Sequence, residues 1–161
     1  MKVGSSLLAG LGLMLVLAAS RASAAPAPIC TASSLTAVAP ALVLTDPWIR
    51  TILPSLPASG YFTLANQTDQ DATLIGASSP GCGMLMLNRT ERHGDNDAMV
   101  DVDAVTIPAH GSVSFAPGGY HLMCMDAAAS MQPGSRILIT LRFKDGQRLS
   151  QLFPVRDARG R

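Results

Sequence analysis

Residues 119–125 read GYHLMCM, and the alternation inside this run decides the fold. Successive side chains of an extended strand point to opposite faces. His121, Met123 and Met125 therefore share one face, and Tyr120, Leu122 and Cys124 turn toward a core. Working outward, the chain is a succession of short runs of the same kind: 41–50 (broken by Pro47), 60–66, 72–78, 84–90, 98–105, 111–116, 136–143 and 147–155. Turn residues separate them, among them Pro80-Gly81, Gly94-Asp95-Asn96-Asp97, Pro117-Gly118-Gly119, Pro133-Gly134 and Asp145-Gly146. Beyond residue 25 no segment keeps a helical apolar period for more than a turn or two, and 126–132 (DAAASMQ) is expected to form only a short helical turn. About nine strands at this spacing predict an all-β fold, an antiparallel sandwich or Greek-key barrel.

The N-terminus reads as an export signal. Lys2 precedes the apolar run Leu7–Ala19, which is too short to span a bilayer, and Ala22-Ser23-Ala24 offers a cleavage site. Residues 1–24 are thus expected to be removed near Ala24, with no stable membrane association afterwards. Pro28 and Ile29 are poor predecessors for a lipid-modified Cys30. Residues 25–40, rich in Ala, Pro and Ser, read as a leader; 41–156 form the domain and 157–161 a frayed tail. Once Lys2 and Arg21 are removed, basic residues nearly balance the 11 acidic ones, which gives no electrostatic reason to bind nucleic acid or an anionic membrane. Aromatics are too sparse for a base-stacking platform. Export leads to an oxidising compartment, where the 3 cysteines permit one intramolecular pair. Cys82 can join Cys124 or Cys30, and the sequence does not choose.

Met84, Met86, Met99, Met123 and Met125 fall in one window, together with His93, His110 and His121. His121 and Met123 stand about 6.6 Å apart on one strand face, within reach of a shared ion. The runs 84–90 and 98–105 flank a turn centred near His93-Gly94; a symmetric hairpin makes Asn88 and Met99 cross-strand neighbours. Met84, Met86 and Asn88 share a face. Thioether and imidazole suit Cu(I) far better than hard cations, and thioethers cannot form disulfides. One well-placed histidine makes zinc a poor second. His93 and His110 lie in turns and are expected to be solvated, and Cys124 alternates toward the core. No histidine has a carboxylate or hydroxyl partner at a catalytic spacing, and no nucleophile elbow, zinc-protease helix or phosphate loop is present, so a non-enzyme is expected.

These residues resemble the PCuAC family of periplasmic copper chaperones. Its pattern is a His or Met, ten residues, a Met, twenty-one residues, then His-x-Met. Here Met99 is followed at that interval by His121-Leu122-Met123 inside Gly118-Gly119-Tyr120-His121-Leu122-Met123, with Asp46-Pro47-Trp48 and Gly60-Tyr61-Phe62 in support. The resemblance covers about residues 42–156. It implies a cupredoxin-like β-barrel in the periplasm, Cu(I) as cargo, and a copper-accepting partner such as the CuA-bearing subunit of cytochrome c oxidase. A monomer is expected. The first ligand position falls on Asn88, a hard oxygen donor poorly suited to Cu(I). The expected metal ligands are therefore Met99, His121, Met123 and, as a replacement on the same strand face, Met86. The alternative is a binding module of this fold with a degenerate metal site, acting through protein–protein contacts.

Overall fold

The run RILITLRF, residues 136–143, shows why the chain prefers strands. Ile137, Ile139, Leu141 and Phe143 are buried, while Arg136, Leu138 and Arg142 between them are exposed. Branched and aromatic side chains fit that half-buried pleated surface. The computed structural model describes residues 41–53, 56–94 and 96–161. The expected signal, the leader and Cys30 lie outside the described residues. Among the described residues ten strands run in chain order: β1 (Leu42–Arg50), β2 (Ala58–Asn66), β3 (Ala72–Ser78), β4 (Cys82–His93), β5 (Asn96–Asp101), β6 (Val105–Ile107), β7 (Ser112–Phe115), β8 (Tyr120–Ala127), β9 (Arg136–Phe143) and β10 (Arg148–Arg156).

The strands form an all-β, cupredoxin-like sandwich. One layer carries β5, β4, β8, β2 and β1 as neighbours, with β7 also on β2. The other carries β10, β9, β3 and β6. The layers join where β1 and β10 run parallel at Ile49↔Val155 and Arg50↔Arg156. Between them Phe62 stacks on Phe115 at 4.3 Å and meets the edge of Phe153 at 5.8 Å. Leu64, Leu74, Ile107, Leu122, Ile139 and Leu141 fill the space around them. Each such side chain contributes roughly 1.5–3 kcal/mol by leaving water.

Four expectations need correction. The segment 98–105 is two strands: β5 stops at Asp101, and β6 crosses to the other layer to pair with β3. The expected helical turn at 126–132 is absent; β8 continues to Ala127, and a turn follows, closed by Met131 N–H donating to Ala128 O. Pro47 does not end its strand. A bulge between Thr45 and Trp48, with Asp46 at φ 51°, absorbs the missing donor. Residues 157–161 form an ordered turn: the Asp157 carboxylate accepts the Arg159 and Arg161 amides, each at 2.9 Å. Those bonds, that from Arg161 foremost, hold the Asp157 pKa below the ordinary carboxylate value.

The disulfide question left open by the sequence resolves to Cys82–Cys124, joining β4 to β8. On the other flank of β8, Gly60 of β2 faces Leu122, where an added Cβ would lie 3.2 Å from Leu122 Cβ. A side chain at this position would need Leu122 or the strands to shift by a few tenths of an ångström, and glycine allows the approach without that shift.

Candidate metal centre

β8 is the axis of the site. Leu122 and Cys124 point into the core and are fully buried, so His121, Met123 and Met125 take the opposite face. Along β4 the partners are Asn88↔His121, Met86↔Met123 and Met84↔Met125. Residues directly opposite across an antiparallel pair share a face. On the other side Ser59 of β2 pairs with Met123, and on β1 Arg50 and Trp48 pair with Ser59 and Tyr61. One face therefore collects the imidazole, the thioethers, a tyrosine and an arginine.

The β4–β5 hairpin differs from expectation in register. Asn88 pairs with Asp101, and Met99 pairs with Thr90, because the hairpin closes with His93 opposite Asn96. Gly94, at φ 64°, supplies the left-handed conformation that a tight turn requires. The slip is two residues, one full pleat repeat, so facial parity is kept. Met99 stays on the face that carries Asn88 and His121, one pair further from them than expected.

A second difference is burial. His121 and Asn88 are each only 3% exposed, although the outward parity of their strands points them away from the core. The Tyr61 ring lies 6.5 Å from the His121 ring and is held by a 3.0 Å hydrogen bond donated by Arg50. Met99, 62% exposed, lines the same cleft as His121, Tyr61, Arg50 and Pro117. The imidazole is at the floor and the thioether at the mouth.

His121 Nδ1 lies 3.1 Å from Gly119 O. A carbonyl can only accept, so Nδ1 carries a proton, and in the neutral ring the lone pair is on Nε2. Nε2 is buried and has no partner. Asn88 donates from Nδ2 to Asp101 Oδ1 at 3.1 Å, with Met123 Sδ 4.0 Å from the same nitrogen, and its Oδ1 is likewise buried without a donor. Two acceptors on directly paired residues thus lack a positive partner. Leaving a buried acceptor unpaired costs about 1–3 kcal/mol. Among the described residues, no three His, Cys, Asp or Glu side chains come together, so the donors here are one imidazole and neutral sulfur. Met86 and Met123, half-buried, occupy the next pair along from Asn88 and His121.

Other histidines stand apart. His110 sits in an exposed turn at φ 54° with Asp69 Oδ1 2.7 Å from its Nε2. His93 ends β4. The sequence reading missed Tyr61, Arg50 and Asp101. Tyr61 was detectable in principle, because 58–66 alternates as 119–125 does, but nothing in the sequence shows that β2 flanks β8. On the reverse face of β4, Arg89 lies 5.8 Å from the Tyr120 ring centre and bonds Glu91, which raises its pKa.

Comparison with known proteins adds four findings. The family described as "Putative lipoprotein LpqE-like" matches residues 42–155. "Putative lipoprotein Lxx21020" of Leifsonia xyli subsp. xyli is 30% identical over 114 residues, covering 70% of this chain and 68% of that protein. Among solved structures, CuI-DR1885 from Deinococcus radiodurans superposes with a TM-score of 0.60 at 30% identity, over 75% of this chain and 81% of that one. The copper-bound PCuAC domain from PmoF2 shares the fold, with a TM-score of 0.61 at 23% identity over 74% and 96%. Matched over the whole sandwich and folded as these relatives fold, the chain belongs to the LpqE-like family and is of the PCuAC type.

Proposed function

We propose that this chain is an exported Cu(I) metallochaperone that carries the ion at His121, Met123, Met99 and Met86 and passes it to a copper-accepting protein such as the CuA-bearing subunit of cytochrome c oxidase. The observation that supports it most is the buried, unpartnered Nε2 of His121, whose tautomer is set by Gly119 O. A fixed imidazole lone pair in a cleft with the Met99 thioether, and with Met123 and Met86 one pair along the ladder, offers a soft cation a site and offers hard cations little. The relatives add weight: one is named as CuI-bound and another as copper-bound. The role is carriage by ligand exchange, without catalysis. The lipoprotein names of the relatives agree with export, and the expected route is a periplasmic chain cleaved near Ala24. Intact mass of the exported protein tests that route, since a lipid-modified Cys30 would add acyl mass.

A second reading, a degenerate metal site used for protein contacts, draws on Asn88, which places a carboxamide rather than a soft ligand beside His121. Competition with a coloured Cu(I) chelator separates the two. Carriage requires one tightly held equivalent, lost in His121→Ala or Met123→Ala and retained in His110→Ala. No competition at any practical chelator concentration favours the degenerate site.

A further inference from the structure

Two methionine pairs lie in successive rungs of the β4–β8 ladder, Met86↔Met123 and then Met84↔Met125. All four side chains share a face, because the residues within each strand are two apart and partners across the ladder are directly opposed. Side chains in one rung have Cβ atoms about 5 Å apart, and rungs two residues apart are separated by roughly 6.6 Å. The array is a two-by-two block of thioethers. Its outer rung lies about 13 Å along the strands from the His121 rung, too far for its sulfurs to join an ion on Nε2.

Methionines usually fill gaps in a core, but the outer rung lies on the face of β4 and β8 turned away from the sandwich core. Met84 is 56% exposed, and Met125 is half-buried on the side of β8 opposite the fully buried Cys124. The Cys82–Cys124 disulfide ties the same two strands beside the outer rung, so the two strands that carry the thioethers are held together there without ordering a loop. From this arrangement we infer that Met84 and Met125, backed by Met86 and Met123, form a second soft-cation site. It takes Cu(I) or Ag(I) through thioether sulfur alone and stages an ion one rung from the ligands of the inner site. The donors are uncharged and include no carboxylate, so Ca²⁺, Mg²⁺ and Zn²⁺ find no purchase there. The inference stands on the ladder geometry and does not require the His121 site to be occupied.

The test is a titration of the full exported protein, labelled with ¹³C at methionine methyls, with Ag(I) as a redox-inert probe. Met99 and Met123 methyls are expected to shift during the first equivalent and those of Met84 and Met125 during a second, bound about tenfold or more weakly for want of an imidazole. In His121→Ala the first phase disappears and the Met84 and Met125 shifts persist. A Met84→Leu/Met125→Leu variant, conservative in volume and on the solvent face, should bind one equivalent and keep the first phase. Unmoved Met84 and Met125 methyls in excess Ag(I), or two equivalents retained by the double variant, would overturn the inference. Shifts at Met84 and Met125 with none around His121 would uphold it while refuting the proposed function.

Discussion

Opening the Cys82–Cys124 bond should cost this domain about 4 kcal/mol. The two cysteines are 42 residues apart in sequence, and closing a loop of that length removes about 4 kcal/mol of denatured-chain entropy at room temperature. A sandwich of roughly 120 residues unfolds with an entropy near 0.25 kcal/mol/K, so the midpoint should fall by about 15 °C. The experiment compares oxidised and reduced protein by thermal circular dichroism in a Cys30→Ala background, which prevents exchange with the third thiol. Comparing redox states of one sequence avoids the packing loss that Cys124→Ala would add at a fully buried position. Metal is then added to a Cys82→Ala/Cys124→Ala variant, because free thiols would capture it. An ion held by β4 and β8 together should restore about 2.7 kcal/mol at one hundred times its Kd. A reduced protein that melts within about 4 °C of the oxidised one would refute the loop argument, since that difference corresponds to only about 1 kcal/mol.

Asn88→His should tighten Cu(I) binding by about tenfold or more by replacing a hard oxygen with an imidazole opposite His121; an unchanged chelator competition would show that position 88 does not reach the ion. Gly60→Ala forces a Cβ to 3.2 Å from Leu122 Cβ, which should lower stability by about 1–3 kcal/mol in urea unfolding; a neutral result would mean that the β2–β8 approach relaxes freely. The depressed pKa of Asp157 favours the folded turn above its unfolded value, and that advantage is lost as pH falls through the folded pKa. The protection of the Arg161 amide, its exchange rate taken relative to the intrinsic rate at the same pH, should therefore fall in acid, and Asp157→Asn should flatten that pH dependence.

The alternation in GYHLMCM and RILITLRF carried most of the architecture, because a strand with one face in a core leaves a period of two in its sequence. Strand order left no such trace. That β8 lies between β4 and β2 depends on contacts far apart in the chain, and with it went Tyr61 and Arg50. Composition could not place the β4–β5 turn, since Gly94-Asp95-Asn96-Asp97 offers several centres. Even so, Met99 remained on its predicted face, because the misplacement was an even number of residues and parity is what packing selects. Burial of His121 was the least legible feature. It arises from a neighbouring strand's tyrosine, and a polar residue on the outward parity of a strand gives no sign that something will cover it.

Taken with the proposed function, that burial explains a division of labour. Copper carriage needs a site that holds its ion in transit yet yields it to an acceptor. Met99 lies on β5, at the end of the strand order, and is mostly exposed at the mouth of the cleft. An edge strand has ladder bonds on one side only, so it opens more readily than strands within the sheet. His121 is held from below by Gly119 O and screened by Tyr61. An acceptor's ligand therefore meets the Met99 sulfur before the imidazole, and exchange can proceed by replacing the outermost donor while Nε2 still holds the ion. A site with its histidine at the surface and its methionine in the floor would expose its strongest ligand first. The same atoms would then favour loss to water over transfer.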